Sequence, residues 1–167
     1  MKTEFSADEI LKMAEQLEKN GAAFYKFAAK EVSNEHIRKL LLDLANWEEG
    51  HQKTFARMRN TWEAKAEGKK TLATNDRNAL YLQMLLDTHL FDFQTDHMEL
   101  IKSKTTVDDV LQMAVKIEKD SVIFYLSLKN FFPDMDDRTI IDRIIEEEMD
   151  HITFLNREIT TLFHQPL

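Results

Sequence analysis

The sequence predicts an all-α protein, a four-helix bundle made of two repeated helical hairpins joined by a long, partly helical crossover. Three observations carry that expectation. Only three Gly and two Pro occur in 167 residues, and Ala, Leu, Glu, Lys and Met are plentiful, a composition that favours long helices over a sheet with many tight turns. Apolar residues recur at helical spacing along four long stretches, each set off by a polar start or a break. The last two stretches repeat the first two at an offset of one hundred residues.

Ser6-Ala7-Asp8-Glu9 reads as a capping box, and Ile10, Met13, Ala14, Leu17, Phe24, Phe27 and Ala28 carry the first helix to about Lys30. Ser33-Asn34 supplies a short polar break and an N-cap. Ile37, Leu40, Leu41, Leu44, Trp47, His51, Phe55 and Met58 then mark a second helix to about Ala66. So brief a link makes the two helices antiparallel neighbours. Thr106-Val107-Asp108-Asp109 repeats the start signal, and Val110, Leu111, Met113, Ala114, Ile117, Phe124, Tyr125 and Leu128 carry a helix to about Asn130. Phe132-Pro133-Asp134 ends it, and a last helix runs from about Asp137 to Leu162 on Ile140, Ile141, Ile144, Ile145, His151, Leu155 and Ile159.

One domain is expected over residues 1–167: hairpin one at about 6–66, a crossover at about 67–105 and hairpin two at about 106–163. The gapless overlay of the hairpins also pairs Asp8 with Asp108, Leu11 with Leu111, Met13 with Met113, Ala14 with Ala114, Lys19 with Lys119 and Phe24 with Phe124. A crossover of roughly 40 residues is too long for a turn. It must run the length of the bundle if the third helix enters from the far end, and residues from Asn75 to about Phe91 offer a helix with Leu80, Leu82, Met84, Leu85, Leu86 and Leu90 as apolar surface. That surface can cover the bundle or form a homodimer contact.

A net charge of −8 argues against nucleic acid and against anionic membrane surfaces as partners. The N-terminus lacks a signal-like apolar run and no stretch is long enough to span a bilayer, so a cytoplasmic location is expected. With no Cys in the sequence, disulfides, thiol catalysis and cysteine-ligated clusters are excluded. Any redox chemistry needs an added metal or cofactor.

The repeated polar residues are Glu18, Tyr25, Glu48 and His51 in one half and Glu118, Tyr125, Glu148 and His151 in the other. With sixteen Glu and six His in the chain, about 0.6 Glu-x-x-His pairs would arise by composition alone, so two in register carry information that one would not. Residues at i and i+3 share a helix face. The stripe Leu41, Leu44, Glu48, His51, Phe55, Met58 is apolar except at the Glu and His, and Ile141, Ile144, Glu148, His151, Leu155 is interrupted in the same way. Four carboxylates facing a bundle core are prohibitively costly without cations, and no Lys or Arg shares those stripes. Two divalent metals balance the four charges. Oxygen and imidazole donors without sulfur suit iron or manganese in a redox setting, with zinc as the alternative.

Other residues are weaker candidates. Asp87, His89, Asp92, Asp96 and His97 define no single face and read as a solvated loop. Glu147, one turn before His151, can orient an imidazole or simply belong to a solvated face. Met13 and Met113 read as core packing.

The set Glu18, Tyr25, Glu48-x-x-His51 with Glu118, Tyr125, Glu148-x-x-His151 resembles the ferritin-like di-iron carboxylate proteins, and among them the rubrerythrin group. The resemblance covers the four long helices. It implies two iron ions per chain, bridged by Glu48 and Glu148, with Glu18 and His51, and Glu118 and His151, completing the coordination. Tyr25 and Tyr125 would donate hydrogen bonds to ligand carboxylates. It also implies reaction with hydrogen peroxide or dioxygen, as a peroxide reductase or ferroxidase. The rubrerythrin pattern has a further Glu one turn after the third-helix Glu, where this chain has Ser121, with Gly21 as its counterpart. The cysteine-rich rubredoxin domain is not in this sequence either, so electrons are expected from a separate donor protein. The alternative of a different class is a non-catalytic metal-binding or structural helical bundle.

Overall fold

A computed structural model describes residues 5–65, 76–87, 101 and 106–163. Helix α1 spans Ala7–Glu31, α2 Glu35–Ala64, α3 Asp76–Asp87, α4 Val107–Lys129 and α5 Met135–Phe163. The start signals act as expected. Ser6 closes a capping box with Glu9, and Thr106 closes the matching one with Asp109, so each of these helices begins with its first free amides satisfied. Asn34 caps α2 by accepting from the Ile37 amide at 3.1 Å. Helix α5 starts two residues earlier than the sequence suggests, with the Asp136 amide donating to Asp134 Oδ1 at 3.0 Å.

Helices α1 and α2 pack as one hairpin and α4 and α5 as the other, and contacts of α1 with α4 and of α2 with α5 join them. Two apolar clusters occupy the two ends of the bundle. One gathers Phe5, Ile10, Leu11, Leu17, Phe55, Phe124, Phe131 and Ile141, and the other Phe24, Ala28, Leu41, Leu44, Leu111, Ile117, Leu155 and Ile159. The first half of α1 thus meets the second half of α4, and the start of α2 lies with the end of α5. The two hairpins are antiparallel to each other, as a twofold arrangement of a repeated unit requires.

This topology explains the crossover. Trp62, near the end of α2, packs at one end of the bundle and Val110, at the start of α4, at the other. Leu82 of α3 is buried in the first cluster and Ile101 in the second, so the connection lays apolar residues against both ends of the core. Leu80 and Met84 of α3 are exposed. The expected helix reaches further than α3 on both sides, but residues 75 and 88–91, like most of the acidic and histidine-containing patch, lie outside the described residues. Met13 and Met113 are partly buried against the two clusters. Among the described residues no helix is long and apolar enough to cross a membrane.

Candidate metal centre

Between the two apolar clusters lies a polar layer. Every one of the six residues singled out for metal is buried there: Glu18 on α1, Glu48 and His51 on α2, Glu118 on α4, Glu148 and His151 on α5. Their positions follow from helix phase. Each replaces an apolar residue in a core-facing stripe, so packing the stripes together brings the six to one level. Two overlapping groups result, Glu18, Glu48, His51 and Glu148 in one and Glu48, Glu118, Glu148 and His151 in the other, the donor atoms of each lying within 4.8 Å of one another. Glu48 and Glu148 belong to both groups.

His51 Nδ1 lies 3.1 Å from Glu148 Oε1 and 3.6 Å from Glu18 Oε2. His151 Nδ1 lies 2.9 Å from Glu148 Oε2, 3.5 Å from Glu118 Oε2 and 3.9 Å from Glu48 Oε1. The two imidazoles stack with centroids 5.8 Å apart. Glu18 Oε2, Glu48 Oε1, Glu118 Oε2, both Glu148 oxygens and both Nδ1 atoms are buried without a hydrogen-bond partner. Inward-turned oxygen and nitrogen atoms of this kind are costly in a folded core. A cation is the group they fit, and among the described residues no buried Lys or Arg offers an internal substitute.

The tyrosines fasten the hairpins across this layer. Tyr25 of α1 donates its hydroxyl to Glu118 Oε1 of α4, and Tyr125 of α4 donates to Glu18 Oε1 of α1. Each bond holds one oxygen of a carboxylate and leaves the other turned inward. Burial, and then the charges of Glu118 and Glu18 respectively, push both phenols well above their ordinary range, so both stay protonated donors.

Protons partly balance the cluster on its own. Burial and the charges of Glu118 and Glu18 raise Glu148 to about 8, and burial with the charge of Glu148 raises Glu48 well above the carboxylate range. Burial works against a charged imidazole, but the close carboxylates of Glu148 and Glu18 outweigh it and raise His51 to about 11. Glu118 and Glu148 likewise raise His151 to about 9. Burial also raises Glu118, yet His151, Glu148 and Tyr25 together bring it below its ordinary value.

Three neighbours shape the centre. Glu147 orients an imidazole, but that of His51 on the other hairpin rather than that of His151: its Oε2 is 2.8 Å from His51 Nε2. Trp47, counted with the apolar stripe in the sequence, is 45% exposed and stacks on His151, with ring centroids 4.8 Å apart. Gly21 lies under Glu48, where an added Cβ would stand 3.5 Å from Glu48 Cγ, Cδ and Oε2. That is ordinary van der Waals contact. Gly21→Ala should therefore keep metal stoichiometry and raise the thermal midpoint, by up to about 1 kcal/mol of helix propensity, whereas Gly21→Leu should displace Glu48 and lose metal. Equal metal content in the Leu variant and the parent would refute the close approach.

Comparisons with known proteins agree with this geometry. The family model described as Rubrerythrin matches residues 9–87, which include Glu18, Glu48 and His51. Among solved structures, a protein of Thermotoga maritima assigned as a ferritin-like diiron-carboxylate protein is similar, with 26% identity and a TM-score of 0.71 over 94% of this chain and 96% of that one. No curated protein matches. The second hairpin lies outside the family-model match but carries the same Glu and Glu-x-x-His set in the same core layer. The chain is thus similar to the Rubrerythrin family over residues 9–87 and to a ferritin-like diiron-carboxylate structure over nearly its whole length.

Proposed function

We propose that the protein is a di-iron redox protein that reduces hydrogen peroxide or dioxygen, as a peroxide reductase or a ferroxidase. The observation that supports this most is the buried layer of four carboxylates and two imidazoles whose inward atoms have no hydrogen-bond partner. In this proposal Glu48 and Glu148, the residues common to both groups, would be shared by two metals. Glu18 and His51 complete one position, Glu118 and His151 the other. Two ferrous ions, when bound, supply the two electrons that reduce peroxide to water or dioxygen to peroxide. Iron is preferred over zinc because the similar solved structure is that of a ferritin-like diiron-carboxylate protein and the donors include no sulfur.

The protein's own residues hold and expose the centre. Tyr25 and Tyr125 keep Glu118 and Glu18 from rotating away. The apolar clusters on both sides exclude water from the layer. A cleft of about 560 Å³ between α2 and α5, lined by Thr54, Arg57, Arg143 and Glu147, reaches His51 and is roomy enough for a small oxidant. A separate donor protein would return the electrons.

An anaerobic Fe(II) titration, followed by separate peroxide and oxygen challenges, tests the proposal. Two irons per chain and rapid growth of oxo-bridged ferric absorption are expected, with the faster oxidant identifying the substrate. Saturation well below two irons sinks the di-iron proposal, and full loading without rapid oxidation favours a structural metal. Tyr25→Phe should load normally but lose about 1–3 kcal/mol of stability, because Glu118 Oε1 is left without its donor.

A further inference from the structure

The offset of one hundred residues that relates Glu48 to Glu148 and His51 to His151 also relates Trp47 to Glu147. These two side chains occupy equivalent places and do different things. Each crosses to the imidazole of the opposite hairpin. Glu147 accepts from or faces His51 Nε2 at 2.8 Å, and Trp47 lies nearly parallel to the His151 ring, at 12°. Among the described residues, no carboxylate contacts His151 through Nε2. The difference extends outward. The cleft at His51 is about 560 Å³ and includes Thr54, whereas the one at His151 is about 300 Å³ and has Phe154 at the equivalent position.

We propose that Glu147 and Trp47 make the two metal positions unequal, so that the position served by His51 binds the more tightly and fills first. The inference rests on the di-metal reading above. A carboxylate on the outer nitrogen fixes the imidazole tautomer, aims Nδ1 inward and makes it a stronger donor, and loss of such a partner typically costs 10–100-fold in metal affinity. The face of an indole covers the His151 ring but offers no acceptor to its outer N–H. Glu147 is thus a positioning residue, acting through His51. The symmetric set of six donors would otherwise give two equal positions.

Calorimetric titration of the full-length metal-free protein with Co(II), with the visible Co(II) bands followed in parallel, separates the outcomes. The parent should bind two Co(II) in two steps 10–100-fold apart. Glu147→Gln should weaken the first step by that factor and merge the two at the weaker affinity, with stoichiometry retained. Trp47→Glu should merge them at the tighter affinity by giving His151 a carboxylate partner. Trp47→Phe, which keeps an aromatic face, should preserve the two steps. Two Co(II) bound in one unresolved step by the parent, or two unchanged steps in Glu147→Gln, would overturn the inference and leave the di-metal reading standing. Fewer than two Co(II) in the parent would overturn both.

Discussion

Replacing Glu148 by Ala is expected to abolish binding of both metals, not one. Glu48 and Glu148 contribute to both four-residue groups, whereas Glu18 and Glu118 each contribute to one. In the di-metal proposal, removing a shared carboxylate takes a ligand from each position and one negative charge from the balance that would hold two divalent ions. Glu48→Ala should act the same way, and Glu18→Ala should spare the position built on Glu118 and His151. The loss appears as stability too. A metal at one hundred times its dissociation constant stabilises the fold by about 2.7 kcal/mol, so two lost metals should remove most of the rise in thermal midpoint that Fe(II) or Co(II) gives the parent. The metal-free Glu148→Ala protein should still fold, because its apolar clusters are intact and a raised carboxylate is gone from among its neighbours. Elemental analysis of anaerobically loaded protein checks the stoichiometry. Parental metal content in Glu148→Ala would contradict the bridging role.

The sequence shows the six candidate ligands because each is an interruption: a polar residue in an apolar stripe, repeated at the same spacing in a second hairpin. Helix phase then brings them together, whatever the loops do. Capping boxes are local and were equally legible, so α1 and α4 begin where Ser6 and Thr106 predict. Glu147 and Trp47 carry no such signal. Glu147 stands beside Glu146 on a face that reads as solvated, and its contact with His51 depends on how α5 is rotated against α2, across the two hairpins. Trp47 shares helical spacing with Leu40 and Leu44 and so counts as core by periodicity, though it lies at the surface over His151. The repeat itself held the clue, since aligning 47 with 147 exposes an aromatic against a carboxylate next to an otherwise matched motif. Gly21 was legible only as a missing carboxylate. Its closeness to Glu48 is a property of the packed hairpin.

Raising the pH should destabilise the metal-free protein and stabilise the loaded one. In the metal-free fold Glu148 is raised to about 8 and Glu48 is raised well above its ordinary value, chiefly by burial and by neighbouring carboxylates. A raised group gives stability that is complete below its unfolded pKa and is lost as pH climbs through the folded one, so for Glu148 the loss spans about 4.5 to about 8. His51 and His151 continue it, from 6.5 towards about 11 and about 9. Glu118 is lowered and has the opposite sign, but its contribution is complete once pH passes the ordinary carboxylate range. Between pH 5 and 9 the native metal-free chain therefore holds more protons than the unfolded one, and each extra proton costs about 1.4 kcal/mol of stability per pH unit. Metal reverses the slope. Ligating carboxylates and imidazoles must be deprotonated, so below about pH 6.5 the loaded fold binds fewer protons than the unfolded chain, whose histidines are charged, and its stability rises until they are neutral. Thermal midpoints of metal-free and Co(II)-loaded protein, measured from pH 5 to 9, should diverge steadily. Parallel curves would mean that metal displaces no protons from the buried layer, and that the six residues do not hold it.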